Sequence, residues 1–582
     1  MIQMIVKNRS LQKAEMNLIK DTAGIQVYRF RYVSQEKAVP EAISVSFFIP
    51  CLDIYSVWNA MIGEKRSLIS DWRPNLPVCQ SRFNSGAPIQ TLISHEGNNR
   101  LTVSLADART PISIKSGIVE DGGQIRTEIM FFTQKVAALQ QYETFVYLDF
   151  RDIPYYEAIG EAVERMRLKE CEKGYLYPKT SRMPMYSTWY CFHQKIEEEL
   201  LIRQCIKAKE MGMECIIVDD GWQTENEVGG YAFCGDWTPA TTKFPDMKRF
   251  VERVHELDMK VMLWFSVPYV GKNARIYKEF EGMYLDNPDS EWNVLDPRFP
   301  KVREYLVRTY EDAVKNWGLD GLKMDFIDCF GMTEYSDQKS PLRDYDSVED
   351  AVEALLSEIQ TCLLELNPDI LIEFRQNYMG PLITRYSNML RVGDCAMDAI
   401  VNRTGVIDLR LLSTGNAIHS DMLIWNEKDT PENMAKQLIA VLCGVPQISV
   451  RMDQLSEQHA RTLKFYLSFW IKYSKVLMEG ELIPHNPEIC YSRVEAIGEE
   501  TCICICYSVN DFSLKENTTI AVNGTGRAEM VMVTQNDAAI EYEIFNCQGD
   551  LIEKKTSVVK EGAFLLPVPI SGMVVVKSEV QK

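Results

Sequence analysis

The feature that most constrains this chain begins near Pro184, where eight short apolar runs alternate with amphipathic stretches. The runs are PMYSTWY, ECIIVDDGW, KVMLWFSVP, GLKMDFID, ILIEFRQ, MLRVGDC, IHSDMLIW and PQISVRM. Between them lie segments such as EEELLIRQCIKAKEMG, KVREYLVRTYEDAVKNWG and VEDAVEALLSEIQTCLLELN, with apolar residues at three- and four-residue spacing. That spacing predicts helices packed on a sheet. Eight strands in strict alternation with helices predict a closed (β/α)8 TIM barrel. An open doubly wound sheet is the competitor, but no Gly-rich phosphate loop follows the first strand.

The barrel cannot account for the whole chain, because 582 residues exceed what one core organises. Up to about residue 175 the sequence is made of short strand-like runs (GIQVYRFRYV, AISVSFFIP, RLTVSLAD, TEIMFFTQ) punctuated by Gly, Asn, Asp and Pro. They predict an antiparallel β-sandwich, with PYYEAIGEAVERMRLKEC as a connecting helix. Strand-like runs return after about residue 478, in TCICICYSV, AEMVMVTQ, EYEIFNC and MVVVKSEV. The expected division is therefore an N-terminal sandwich domain over 1–175, a barrel over 176–477 and a small C-terminal β-sandwich domain over 478–582.

Composition removes several function classes. A net charge of -19 argues against nucleic-acid or anionic-membrane partners. No stretch approaches the roughly 18 uninterrupted apolar residues of a membrane helix, and the first residues lack the apolar core of a secretory signal. The 16 cysteines are scattered, several inside apolar runs, which reads as reduced thiols of a cytoplasmic protein. Cys502 and Cys504 alternate along a strand-like run. With 6 histidines and no paired Cys-x-x-Cys sets, neither a zinc site nor a cofactor is expected.

The chemistry gathers at the C-terminal ends of the predicted strands, where a barrel keeps its active site. The second strand ends in Asp219-Asp220-Gly221-Trp222 and the fourth in Lys323-Met324-Asp325. The fifth carries Glu373 and Arg375, and the sixth Arg391 and Asp394. Lys323 and Asp325, two apart on a strand, project to one side. That predicts an ammonium beside the carboxylate, holding it ionised as a nucleophile must be. Asp394 is expected to carry a raised pKa, giving the pair of ionised and protonated carboxyl groups that retaining glycoside hydrolysis requires. Each element has a plain structural reading: an ion pair for Lys323–Asp325, another for Arg391–Asp394, a capped turn for Asp219-Asp220. Their recurrence at successive strand ends is what weakens those readings together.

At these residues the sequence resembles glycoside hydrolase family 36, in the clan shared with the family 27 α-galactosidases. YSTWY is similar to the first-strand tryptophan motif, and IIVDDGW to the Asp-Asp-Gly-Trp signature. GDWTPATTKFPD, VMLWF, VLDPRFPKVREYL and LKMDF follow the family's later motifs. The resemblance covers roughly half the chain and implies the three-part architecture derived above. It implies a retaining exo-α-galactosidase acting on a small carbohydrate, with Asp325 as nucleophile and Asp394 as acid/base. Asp219 and Asp220 would accept hydrogen bonds from the sugar 4- and 6-hydroxyls, Lys323 would bind hydroxyls, and Trp189 and Trp264 would form apolar walls. Glu373, Arg375 and Arg391 complete the expected substrate-binding set. A homo-oligomer agrees with the resemblance.

The sequence departs from the family at three places. Ser266-Val267-Pro268 follows the third strand in place of Pro-Glu. The acid/base segment is Gly-Asp-Cys in place of Ser-Asp-Asn, and Glu373–Tyr378 replaces the Cys-Ser-Gly-Gly-Gly-Arg loop. Since that loop contacts the sugar 2-substituent in the relatives, the departure leaves open another sugar, such as an α-N-acetylgalactosaminide or an acidic hexoside. Arg375 reads either as a bridge to Glu373 or as a group reaching an anionic substituent. Transglycosylation and non-catalytic sugar binding are further alternatives.

Overall fold

The computed structural model describes residues 4–7, 13–61, 63–167, 177–287, 290–337, 340–413 and 415–580. The first expected domain boundary, at 175/176, lies outside the described residues.

All eight predicted barrel strands form. They are β1 (Met185–Ser187), β2 (Cys215–Val218), β3 (Lys260–Ser266), β4 (Gly321–Asp325), β5 (Leu371–Arg375), β6 (Met389–Arg391), β7 (Ala417–His419) and β8 (Gln447–Ile448). Neighbours pair in parallel from β1 to β7, and β8 pairs with β1. The Val445 amide donates to Ile418 and the Leu423 amide to Gln447, which carries the ladder between β7 and β8 and closes the cylinder. The strands read as near-continuous apolar runs because a parallel sheet is covered on both faces.

The helices between them obey ordinary terminal chemistry. Pro300–Trp317 starts on a proline, whose missing N–H is no loss there, and ends at Gly318 in the left-handed region (φ 74°). Ser347 caps Val348–Leu366 by accepting from the Asp350 amide. Their buried faces join the barrel strands in one large apolar core.

The N-terminal region forms two six-stranded antiparallel sheets with a core that includes Phe30, Phe47, Leu101, Val103 and Ile129. The helix Tyr155–Arg167 then leads toward the barrel. At the other end the helix Glu457–Glu479 precedes a seven-stranded and a three-stranded sheet. Cys502 and Cys504 sit on the strand Thr501–Cys506.

The three regions meet at one buried ionic node. Arg66 of the sandwich pairs with Asp408 of a barrel helix at 2.5 Å. Trp58 donates its indole N–H to the same carboxylate at 2.9 Å, and Tyr491 of the C-terminal region donates its hydroxyl at 2.5 Å. The sandwich also braces the rim of the barrel. Asn84 donates to the Ile327 and Phe330 carbonyls (2.7 and 2.8 Å), just after β4, and the Gly86 amide donates to the Asn377 carbonyl after β5 (2.8 Å).

Candidate active site

A pocket at the C-terminal ends of the strands is lined by Trp189, Asp219, Asp220, Tyr231, Trp264, Lys323, Asp325, Phe326 and Asp394. It holds about 310 Å³ of empty space, part of it open to solvent. Seven of the ten residues singled out from the sequence therefore share one pocket. Glu373, Arg375 and Arg391 do not line it.

Asp325 ends β4 and is held at both oxygens. Oδ2 accepts the Trp264 indole N–H at 3.0 Å, while Oδ1 accepts the Phe326 amide at 2.9 Å and the Arg375 guanidinium. Burial works to push the Asp325 carboxyl up. The charges of Arg375, Lys323 and Arg391, with the Trp264 hydrogen bond, outweigh burial and hold it down at about 2. An ionised carboxylate in an apolar-walled pocket is the condition of a nucleophile. Phe326, next in the chain, has φ 65°, a left-handed conformation uncommon outside glycine.

The partner of Asp325 differs from the one expected. Lys323 does not rest on Asp325; it donates to Asp219 Oδ2 on the neighbouring side of the barrel at 2.5 Å. Nor does Arg375 bridge to Glu373. It pairs with Asp325, donates to the Gln376 carbonyl at 2.7 Å, and lies between the rings of Phe326 and Tyr378 (5.1 and 5.7 Å). The reason is geometric. Inward-pointing side chains of alternate barrel strands meet in one layer, so Lys323 of β4 reaches past β3 to Asp219 at the end of β2, while Arg375 of β5 meets Asp325 of the adjacent β4.

Glu373 and Arg391 are buried and do not line the pocket. Arg391 pairs with Asp421 at 2.5 Å and Asp394 at 3.0 Å, and approaches Glu373 at 3.4 Å. Gln447 donates to Glu373 and meets the His419 ring at 3.2 Å. Burial holds His419 down at about 4, so its imidazole is neutral. Burial raises the Glu373 and Asp421 carboxyls against the pull of Arg391. This polar layer inside the barrel fixes the strand ends above it, and its charges are paired as burial demands.

Asp394 follows β6 and is well exposed, with 62% of its side chain accessible. Contrary to the expected raised pKa, its carboxyl lies below the ordinary value. Burial and the Asp325 charge act upward, but Arg391, Lys323 and Arg375 prevail. Asp394 is therefore ionised at neutral pH. Among the carboxyls that line the pocket, Asp220 is pushed up to about 6 by burial and by Asp219, against hydrogen bonds from Gln223 (2.6 Å) and Gln194 (2.8 Å).

The loop carrying Asp219 and Asp220 is folded by Gly221, with φ 121°. A side chain there would place Cβ 2.6 Å from the Gln194 backbone. Lys243, from the KFPD stretch, ties the loop down by donating to the Gln194 and Gly221 carbonyls at 2.7 and 3.2 Å. The apolar wall is an aromatic set: Tyr231 stacks on Trp264 (6.1 Å) and meets Phe326 edge-on (5.0 Å). Sequence reasoning missed Tyr231, Gln194, Gln223 and Asp421. Asp421 lay in the seventh strand's IHSDMLIW run, and its polar position at a strand end was the available signal. Among the described residues no group of three or more His, Cys, Asp or Glu side chains could hold a metal ion.

With this geometry in hand, resemblances to known proteins become informative. The family model described as Melibiase matches residues 173–375, from before β1 to the end of β5. That match takes in 203 of the 582 residues and makes this part of the chain similar to the melibiases. Alpha-galactosidase 2 of Pediococcus pentosaceus is 27% identical over 158 residues, which are 26% of this chain and 22% of that protein. Alpha-galactosidase Mel36A of Lactobacillus acidophilus is 26% identical over 180 residues, 30% of this chain and 22% of its own. The matched part of the chain thus spans less than a quarter of either curated relative. The fold likeness extends further. Family 36 α-galactosidase AgaA from Geobacillus stearothermophilus superposes with a TM-score of 0.64 at 15% identity, over 97% of this chain and 81% of that one.

Proposed function

We propose that this protein is a retaining exo-α-galactosidase that releases terminal α-galactosyl units from small carbohydrates. One observation carries the reading: Asp325, held ionised, and Asp394 open on the same aromatic-walled pocket as Asp219, Asp220 and Lys323. In this reading Asp325 attacks the anomeric carbon as the glycosidic bond breaks, and Asp394 passes its proton to the leaving oxygen. Water then attacks the glycosyl ester while Asp394 takes its proton, and the Asp325 carboxylate is released.

Asp394 must be protonated for the first step, although Arg391, Lys323 and Arg375 hold it ionised. A bound sugar covers its exposed carboxyl and strengthens the repulsion from Asp325, both of which raise its pKa. Formation of the ester neutralises Asp325 and removes that repulsion, so Asp394 becomes the stronger acid needed to serve next as base. The buried Asp219 and Asp220 carboxyls would accept from sugar hydroxyls, a recognition that rejects epimers strongly. Trp189, Tyr231 and Trp264 would meet the ring's C–H face.

A second reading keeps this chemistry and changes the sugar, because Glu373–Tyr378 stands where the loop that reads the 2-substituent lies in the family this sequence resembles. The test is hydrolysis of a panel of aryl α-glycosides, with NMR of the first sugar anomer formed. The α-galactosidase reading predicts cleavage of the α-galactoside with α-galactose released first, and loss of turnover in Asp325→Asn. Cleavage of another α-glycoside alone would replace the sugar, and β-anomer released first would replace the mechanism.

The three-domain division at 175/176 and 477/478 and a cytoplasmic setting belong to the same proposal. The second is supported by the free thiols of the 15 described cysteines. No described helix is long and apolar enough to cross a membrane.

A further inference from the structure

Asp394 stands on an irregular segment between β6 and the helix Ala399–Leu412, and that segment is tied down on both sides of it. The Gly393 amide donates to Gln376 Oε1 at 3.0 Å, and the Cys395 amide donates to Asp421 Oδ2 at 2.7 Å. Asp398 then closes the segment by capping the helix, accepting from the Ile400 and Val401 amides at 3.1 and 3.0 Å. A proton donor works only within hydrogen-bond reach of its acceptor, so these ties bear on the chemistry.

Asp421 does more than hold an amide. It lies two residues past β7, is wholly buried, and is itself fixed to the helix that follows the segment. Its amide donates to Asn402 Oδ1 at 3.0 Å, and its carbonyl accepts from Asn402 Nδ2 at 3.1 Å. Its Oδ1 accepts from Arg391 Nη1 at 2.5 Å, the same nitrogen that donates to Asp394 Oδ1 at 3.0 Å. Its Oδ2 also accepts the Tyr190 hydroxyl at 2.7 Å. Each of these side-chain contacts is made by a donor, the pattern of an ionised carboxylate.

One guanidinium is thus divided between Asp394 and Asp421, with Glu373 a third carboxyl group at 3.4 Å. Lys323 and Asp325 of β4 and Arg375 of β5 also act on Asp394. The Tyr190 and Tyr231 phenols and the Cys395 thiol stand close by, and burial raises all three, so they stay neutral. If the Asp421 charge were lost, Arg391 would act on Asp394 undivided, and a carboxylate held that firmly is slow to take a proton. We propose that Asp421 is a positioning residue for the acid/base: it grips Arg391 and the Cys395 amide on either side of Asp394 and shares the Arg391 charge, leaving Asp394 able to take up a proton. The proposal rests on the α-galactosidase reading and adds a control on its acid.

The test is kcat against pH at saturating raffinose, whose leaving group, sucrose, needs a proton; this profile reports the acid in the bound complex. Asp394 serves as acid below its pKa there and fails as pH rises through it, so it sets the alkaline limb. A lower pKa moves that limb to lower pH. Asp421→Asn and Asp421→Ser, which remove the charge, should each move it down by about one unit and cut raffinose kcat about tenfold on the alkaline side. Asp421→Glu keeps the charge and should leave the limb within about 0.3 unit of wild type. In all three variants kcat/KM for α-galactosyl fluoride, whose leaving group departs without a proton, should stay within about twofold. A raffinose limb that stays in place in both neutral variants would overturn the proposal. So would equal loss of raffinose and fluoride cleavage in them, which marks a purely structural role. A wild-type protein that cleaves neither compound would overturn the α-galactosidase reading itself, and this role with it.

Discussion

Arg375 is the residue whose removal should be most informative. Its guanidinium lies against Asp325 Oδ1 and is clamped by the Gln376 carbonyl and by the Phe326 and Tyr378 rings. Two unit charges about 4 Å apart at an effective dielectric of about 20 interact by about 4 kcal/mol, or about 3 pKa units. Water entering the space left by the side chain reduces this, so Arg375→Leu should raise the Asp325 pKa by about 1 to 3 units from its present value of about 2. Lys323 and the Trp264 hydrogen bond remain and set the upper limit. The sign follows from the ionised form being the nucleophile. Activity is present above the pKa of Asp325 and disappears as pH falls through it, so raising the pKa moves the acid limb to higher pH. The assay is kcat/KM against pH with α-galactosyl fluoride, which needs little help from an acid. Wild type should stay active to the lowest pH at which it remains folded, whereas Arg375→Leu should show a limb between about pH 3 and 5. Arg375→Lys, which keeps the charge but not the fork, should fall between them. An acid limb that does not move in Arg375→Leu would refute the reasoning that this ion pair sets the state of Asp325.

Other expectations concern different parts of the account. Asp394→Asn should slow raffinose hydrolysis by about a hundredfold or more and α-galactosyl fluoride much less, because the fluoride departs without a proton; equal losses would remove Asp394 from the acid role. Asp408→Ala should destabilise the protein by about 3 to 5 kcal/mol in denaturant unfolding, since Arg66 would stay buried without its partner. Asn84→Ala should lower kcat with little change in melting temperature by loosening the segment after Asp325, and a purely structural role would lower stability instead.

Much of the architecture could be read from local pattern. The eight strands stand where short apolar runs alternated with helical spacing, and their polar ends gather on one rim, because parallel strands in a barrel must finish on the same side. Who pairs with whom could not be read that way. Lys323 and Asp325 share a strand, but the ammonium finds Asp219 just after β2, 104 positions away, because inward side chains of alternate barrel strands meet in one layer. Glu373 and Arg391 looked like rim residues yet point into the barrel interior, where only the register of β5 and β6 with their neighbours decides depth. The state of Asp394 depends on the charges of Arg391, Lys323 and Arg375, three residues from separate strands. The hold of Asn84 on the segment after β4 spans 243 positions or more and leaves no trace in local spacing.

The central claim is that Asp325 forms the covalent bond to the sugar. It is tested most directly with a fluorinated α-galactosyl substrate whose second step is slowed, followed by peptic digestion and mass spectrometry of the trapped protein. The account predicts one galactosyl label per chain, carried on the carboxylate of Asp325 within the LKMDF segment and absent from Asp325→Asn. A label on any other residue, or steady turnover with release of the inverted sugar and no label, would contradict it.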